Sequence, residues 1–267
     1  MNLSNNTKTC KLKFLKIFLI KYLESIINSK YFLPFFRFLY KCKYLTNIYP
    51  VLIQFFPILC LLIYALYKKI KLFKNLKIAF IADGNRRYLK KMNKNVEQVK
   101  KEGLKKMWEI INLCQYLELS EVGFYCFSIK NFNRSHKEIQ NVLQLLTHEI
   151  NPKSYKIRVI GNMELLPENI SNNLKKIVEK SKNNQGIIVN LFIAYSSQDE
   201  VENGIKFKGE VDLVIRTSGE KRLSDFLILQ CCRGANIFFC NFLWPEITFM
   251  HVYLILLKYK LEQVFFK

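Results

Sequence analysis

From about residue 75 onward, short apolar runs alternate with longer segments in which apolar residues recur every three or four positions. This alternation constrains the fold more than any other feature of the chain. A run of roughly four to eight apolar residues can be buried on both faces as a strand of a parallel sheet, and each helical segment then supplies the crossover to the next strand. The runs predict strands at 77–82, 122–128, 156–161, 187–195, 212–216 and 236–240. Helices fit 94–118, 136–149, 167–183, 224–233 and 248–265. The expected class is therefore α/β, with a six-stranded parallel sheet flanked by helices. Two connections look short, Glu149 to Lys156 and Glu202 to Asp212. A parallel crossover usually needs about a dozen residues, so the second has room for a brief helix only.

The region before the first strand is different in kind. Residues 44–67, YLTNIYPVLIQFFPILCLLIYALY, carry no charge and are flanked by Lys41, Lys43, Lys68, Lys69 and Lys71. About 20 apolar residues span a bilayer, and Pro50 and Pro57 would kink or shorten such a helix. The upstream stretch FLKIFLIKYLESIINSKYFLPFF mixes apolar residues with Lys and reads as an interfacial amphipathic helix, with no small-residue cleavage site after it. The expected organisation is a hydrophobic, basic, membrane-associated extension over 1–74 and a sheet-bearing domain over 75–267. The alternative is that both segments pack on that domain as a helical hairpin.

A formal charge of +21, from 42 Lys and Arg against 21 Asp and Glu, favours anionic partners: nucleic acid, anionic lipid or phosphorylated substrates. Eight cysteines lie without CxxC spacing, and three histidines are not placed with them at zinc-binding intervals, so neither a disulfide framework nor a structural zinc site is expected.

In open parallel sheets, ligands bind beyond the carboxyl ends of the strands. The stretch KIAFIADGNRRYLKK ends an apolar strand in Asp83, Gly84, Asn85, Arg86 and Arg87. Gly84 permits close backbone approach, and the residues after it can begin a helix whose free N–H groups attract anions. A lone carboxylate beside such a cradle suggests a metal ion bridging to a phosphate. The second strand ends in Ser128, Lys130, Asn131 and Arg134; the fifth ends in Arg216, Thr217, Ser218 and Gly219, followed by Arg222 and Ser224. Five arginines and one acid on one rim suit a substrate with more than one phosphate group, because guanidinium pairs with phosphate oxygens through two parallel hydrogen bonds.

The ordered stretches IAFIADGNRRYLKK, FYCFSIKNFNRS, IRVIGNMELLPENI, DLVIRTSGEKRLSDFLILQ and FLWPE resemble the cis-prenyltransferases, the undecaprenyl and dehydrodolichyl diphosphate synthase family, and above all its eukaryotic catalytic subunits. The resemblance runs from about residue 76 to the C-terminus. It implies an undecaprenyl diphosphate synthase-like sheet, Mg²⁺-dependent condensation of isopentenyl diphosphate onto an allylic prenyl diphosphate in cis, and a long-chain polyprenyl diphosphate product for dolichol synthesis. It further implies that Asp83 positions Mg²⁺ and the allylic diphosphate, with Gly84, Asn85, Arg86 and Arg87 lining the cradle and Tyr88 in the family's aromatic position. Ser128 and Asn131 match residues beside the reacting carbons, Asn131 as proton acceptor or orienter, and Phe132 and Arg134 match the aromatic and Arg that follow. Arg216, Arg222 and Ser224 correspond to residues that hold isopentenyl diphosphate.

Departures from the family pattern carry information too. Val96 stands where many members have Arg, Lys100 where they have His, Lys130 where Glu is common, and Ala235 in place of a second acidic metal ligand of bacterial members. The first two imply a weakened diphosphate shell. Many homodimeric members end in an Arg-x-Gly motif that reaches the neighbouring active site, whereas this chain ends KLEQVFFK. That implies either a homodimer closed by local substitutions or a heteromer with a Nogo-B-receptor-like subunit, membrane-associated at the endoplasmic reticulum with the catalytic domain facing the cytosol. Two rival functions remain: a non-catalytic subunit of the same complex, against which Asp83 and the intact RTSGEKRLSDF speak, and a basic nucleic-acid-binding protein, for which no base-reading module is present.

Overall fold

The computed structural model describes residues 72–148, 152, 154–204, 207 and 209–266. The expectations for the N-terminal extension and for the apolar segment 44–67 lie outside the described residues. Among the described residues, no helix is long and apolar enough to cross a membrane. The sheet lies in a unit that runs Phe73–Ile255, and the chain from Leu256 on falls in a second unit.

Six strands form one sheet, β1 (Lys77–Ile81), β2 (Glu121–Ser128), β3 (Lys156–Ile160), β4 (Ile188–Tyr195), β5 (Leu213–Arg216) and β6 (Asn236–Phe239). Every pairing is parallel and the order is β3-β4-β2-β1-β5-β6. All six expected strands are present, with bounds that differ by a residue or so. The chain first builds outward from β1 through β2 and later returns to its other side with β5. The crevice where that direction reverses, at the carboxyl ends of β1, β2 and β5, is where such sheets hold ligands.

Alternation along the strands divides the core between the two faces. On one face Phe80 and Phe124 stack at 5.5 Å between ring centroids and meet Trp244 at 5.8 and 6.0 Å. On the other, Ala79, Ile81, Phe192, Tyr195, Val214, Phe226 and Leu227 form one buried cluster. These side chains bury most of what β1, β2 and β4 have to offer, as the continuous apolar runs require.

The helices depart from expectation in one place. The helix expected to begin after Gly84 is α1 (Asn85–Met92), and the one expected over 94–118 is α2 (Val96–Tyr116). Asn93 ends α1 with φ of 48°, and Asn95 restarts the chain with a capping box in which its side chain accepts from the Gln98 N–H and Gln98 accepts from the Asn95 N–H. The helix expected over 224–233 shrinks to α6 (Ile228–Cys232), because Ser224, Asp225 and Leu227 all adopt positive φ. Tertiary hydrogen bonds to Ser224 hold that stretch out of helical geometry. Elsewhere α3 (His136–His148), α4 (Glu168–Ser181) and α7 (Phe249–Phe266) occupy their expected places. The brief helix of the β4 to β5 connection, α5 (Ser197–Glu202), lies just before the stretch 202–212.

Candidate active site

Parallel pairing sets Ile81 of β1 opposite Arg216 of β5, so the polar residues that follow each strand emerge side by side. Asp83 is two residues beyond that point. Its Oδ1 accepts the Gly84 N–H at 2.7 Å and its Oδ2 accepts from Arg216 Nη2 at 2.8 Å. The Asp83 carbonyl is fixed as well, by Thr217 Oγ1 at 2.6 Å and by the Trp244 N–H at 3.0 Å. Burial pushes the Asp83 carboxyl pKa up, but hydrogen bonds from Arg216 and Ser218, the Arg216 charge and the Gly84 N–H outweigh it, and the net shift is downward. The carboxylate stays ionised and, with a side chain 35% exposed, remains reachable.

Gly84 adopts φ of +109°, and a Cβ there would stand 2.9 Å from Leu243 Cδ2 and 3.1 Å from Leu243 Cα. Only glycine meets both demands. This turn starts α1 and aims Arg87 back across the rim, where Nη1 donates to the Ser218 carbonyl at 2.8 Å and Nη2 to Ser218 Oγ at 2.6 Å. Arg87 Nη2 also lies 3.8 Å from Asp83 Oδ2 and 3.5 Å from Glu220 Oε1. Arg86 is exposed, with no ion-pair partner among the described residues. Asn85 turns toward α2, donating to the Ala82 carbonyl at 3.3 Å. Tyr88 is buried with Val99 and Leu243, where it anchors α1.

Arg216 is the most enclosed member of the group, with a side chain 4% exposed. Beyond Asp83, its Nη1 donates to Ser224 Oγ at 2.7 Å and to the Arg222 carbonyl. It therefore ties the loop carrying Arg222 and Ser224 to the end of β1. Arg222 itself projects outward, 66% exposed, and pairs with Glu220 Oε2 at 2.6 Å. Glu220 thus bridges Arg87 and Arg222, a role that sequence reasoning missed; its place between Arg216 and Arg222 in RTSGEKR was the available signal.

At the end of β2, Asn131 Nδ2 donates to Ser128 Oγ at 2.8 Å. Phe132 packs edge-on against Phe127 at 4.9 Å, and Arg134 pairs with Glu138 at 3.1 Å. Tyr125 connects this segment to the previous one: its hydroxyl donates to the carbonyls of Tyr195 at 3.1 Å and Ser224 at 3.3 Å. Its ring stacks on Phe226 at 4.4 Å. Burial raises the Tyr125 phenol pKa well above its ordinary value, opposed by the neighbouring Ser128 hydroxyl. Nothing in its strand pattern marked Tyr125 as more than a core residue.

Six buried side-chain polar atoms lack a hydrogen-bond partner among the described residues, and four belong to this rim or to α2 beside it: Asn85 Oδ1, Lys100 Nζ, Asn131 Oδ1 and Arg216 Nε. Buried polar groups are ordinarily satisfied, and such a concentration at one place marks a site built around a polar ligand. Of the departures, Val96 is 53% exposed and Ala235 is buried.

Residues 81–208 and 202–266 match the model of the family described as "Putative undecaprenyl diphosphate synthase", and the chain belongs to that family. It is 45% identical over 199 residues to the dehydrodolichyl diphosphate synthase of Encephalitozoon cuniculi, covering 73% of this chain and 74% of that protein. It is 31% identical to a dehydrodolichyl diphosphate synthase complex subunit of Homo sapiens, over 69% of this chain and 67% of the human one. Among solved structures, lavandulyl diphosphate synthase from Lavandula x intermedia, in complex with dimethylallyl diphosphate, shares the fold with a TM-score of 0.61 at 22% identity, over 71% of this chain and 96% of that one. A probable undecaprenyl diphosphate synthase from Campylobacter jejuni shares it with a TM-score of 0.56 at 23% identity, over 70% and 95%. The expected α/β architecture and the expected family both stand.

Proposed function

We propose that this protein condenses isopentenyl diphosphate onto an allylic prenyl diphosphate in cis, elongating a polyprenyl diphosphate of the dehydrodolichyl type. The observation that carries this reading is the network joining Asp83, Arg87, Arg216, Arg222 and Ser224 at the adjoining ends of β1 and β5. It presents several guanidinium groups around one reachable carboxylate, the complement of two diphosphates.

Breaking the allylic C–O bond places growing negative charge on the diphosphate leaving group. Arg87 already has its guanidinium directed across the rim by Ser218, so it needs little reorganisation to meet that charge. Glu220 holds Arg87 and Arg222 in the free protein, and an arriving diphosphate takes its place as their counter-anion. Asp83 suits Mg²⁺, since that ion ordinarily takes about one or two carboxylates together with substrate phosphates and water, and among the described residues no three His, Cys, Asp or Glu converge to form an all-protein cage. Bound there, Mg²⁺ would supply further neutralisation of the leaving group. After carbon–carbon bond formation a proton must depart. Asn131 Oδ1 has no hydrogen-bond partner among the described residues while its Nδ2 is fixed by Ser128, so the carbonyl oxygen is the acceptor that orients the proton toward a diphosphate oxygen.

The same reading includes a partner and a membrane. The outer strand β6 exposes Ile237 and Phe239, 39% and 37% accessible, on one face, and that apolar patch beside an open edge suits contact with a second subunit, a copy of this chain or a Nogo-B-receptor-like protein. The uncharged segment 44–67 with its basic flanks supports membrane association, at the endoplasmic reticulum for a dolichol-directed product.

The test is chromatography of the lipid products formed by the purified full chain from isopentenyl diphosphate, farnesyl diphosphate and Mg²⁺, with and without the partner subunit. A ladder of longer acid-stable prenyl products is expected. Absence of elongation under both conditions would assign the chain a non-catalytic role instead.

A further inference from the structure

Four polar residues gather on one face of the sheet, at the end opposite the rim. Lys77 and Glu121 are register partners at the amino ends of β1 and β2. Two residues further along, Asn190 of β4 stands opposite Gly123 of β2 and Arg158 of β3. Side chains two residues apart share a face, so all four stand on the face that carries Ala79 and Phe192. The helix described between β4 and β5, α5, begins at the carboxyl end of β4, away from them. A cavity of about 650 Å³ opens here, and its walls include Lys77, Glu121, Arg158, Ile160, Val178 and Phe207. Cavities of that size ordinarily take a small organic molecule.

The charges in this cavity are loosely answered. Glu121 is withdrawn from solvent, its side chain 13% exposed, and it accepts from Asn190 Nδ2 at 2.8 Å. Its cation is Arg158, whose Nη1 stands 3.5 Å from both carboxylate oxygens. A well-made guanidinium–carboxylate pair closes to about 2.8 Å. Asn190 is buried, and its Oδ1 has no hydrogen-bond partner among the described residues, which is costly for a buried acceptor. Lys77 Nζ lies 3.6 Å from Glu210, whose side chain is 91% exposed, so that pair holds the ammonium weakly. Ile160, Val178 and Phe207 make the apolar part of the wall, and the Phe207 ring lies so close to Gly209 that a Cβ there would collide with it.

A purely cationic ligand would meet Arg158 and Lys77, and a purely anionic one would meet Glu121. A zwitterion answers both signs. We propose that this cavity is a second binding site of the chain, separate from the rim, for a zwitterion with an apolar body, of the class of the aromatic α-amino acids. The ammonium group donates to Glu121 and toward Asn190 Oδ1. The carboxylate accepts from Arg158, whose planar fork suits it, and from Lys77. The ring lies on Ile160, Val178 and Phe207.

The test is isothermal titration calorimetry of the full chain in detergent with three probes that share one ring: phenylalanine, phenethylamine, which lacks the carboxylate, and phenylpropionate, which lacks the ammonium group. Phenylalanine should bind more tightly than either by about 10- to 100-fold, the worth of hydrogen bonds to a charged group. Arg158→Gln alters a side chain that is 43% exposed, so the variant should fold, and its affinity for phenylalanine should fall toward that of wild type for phenethylamine. Glu121→Gln should bring it toward that for phenylpropionate. Saturating inorganic pyrophosphate with Mg²⁺ should leave phenylalanine binding unchanged, because the rim lies at the other end of the sheet. Equal affinity for phenylalanine and either singly charged probe would overturn the proposal, as would the absence of binding up to about 10 mM. Binding that folded Arg158→Gln retains in full, or that pyrophosphate displaces, would place the molecule elsewhere and overturn it too.

Discussion

Replacing Arg216 with Met tests the rim as a structural unit as well as a binding site. Methionine keeps much of the buried volume but removes the guanidinium, which is 4% exposed and spans Asp83 Oδ2, Ser224 Oγ and the Arg222 carbonyl. Asp83 would retain the Gly84 N–H at 2.7 Å, the Ser218 hydroxyl and the distant Arg87 at 3.8 Å, none of them a close opposite charge. Breaking a buried ion pair from one side costs about 3–5 kcal/mol, because the other charge is left unanswered. Since the Asp83 side chain is 35% exposed, water recovers part of that, and the expected loss is about 3 kcal/mol. For a chain of this size each kcal/mol moves the melting temperature by about 2–4 °C, so a fall of about 6–12 °C is expected. Thermal unfolding followed by circular dichroism measures it, and an Asp83→Asn, Arg216→Met cycle isolates the pair. The two changes should be non-additive by about 2 kcal/mol. A loss below about 1 kcal/mol, or simple additivity, would refute the claim that Arg216 holds Asp83 and the Ser224 loop together.

Gly84→Ala should cost about 2 kcal/mol, since the residue sits at φ of +109° with Leu243 within 2.9 Å of any added Cβ; an unchanged melting temperature would contradict that geometry. Arg222→Ala should leave stability within about 0.5 kcal/mol, as its pairing is exposed, while raising KM for isopentenyl diphosphate; a rise for the allylic substrate instead would exchange the two subsites. Asp83 has a folded-state pKa below its ordinary 3.8, so its ionised form stabilises the fold. The stability advantage of wild type over Asp83→Asn should be complete above pH 3.8 and shrink as pH falls through the lower folded-state value, and an advantage that grows on acidification would reverse the sign of that interaction.

Strand positions were legible because KIAFI, LVIR and their counterparts are too apolar for anything but a sheet covered on both faces. The residues after β1, β2 and β5 were legible as a candidate site for the same reason: charge that follows such a run must sit at an edge. Strand order was not, since it depends on which crossovers lie on which face. The break between α1 and α2 has a local signal in Asn95 and Gln98, and the expected helix start at 94 falls beside it. The loss of helix at Ser224 had none, because it depends on bonds from the end of β5, through Arg216, and from Tyr125, 99 residues away. Individual site roles depend on enclosure, which the order of residues does not reveal. RTSGEKR reads as two equivalent arginines, yet Arg216 is a buried tie and Arg222 an exposed arm. Tyr88 reads as the family's aromatic position, and only the structure shows that it packs with Val99 and Leu243.

The most direct test of the central claim is incorporation of labelled isopentenyl diphosphate into acid-stable lipid by the full chain with farnesyl diphosphate and Mg²⁺, wild type against Asp83→Ala. The carboxylate leaves no core cavity when removed, so the variant should fold and lose transfer by about 100-fold or more. Turnover by folded Asp83→Ala within a few-fold of an active wild type would contradict the account.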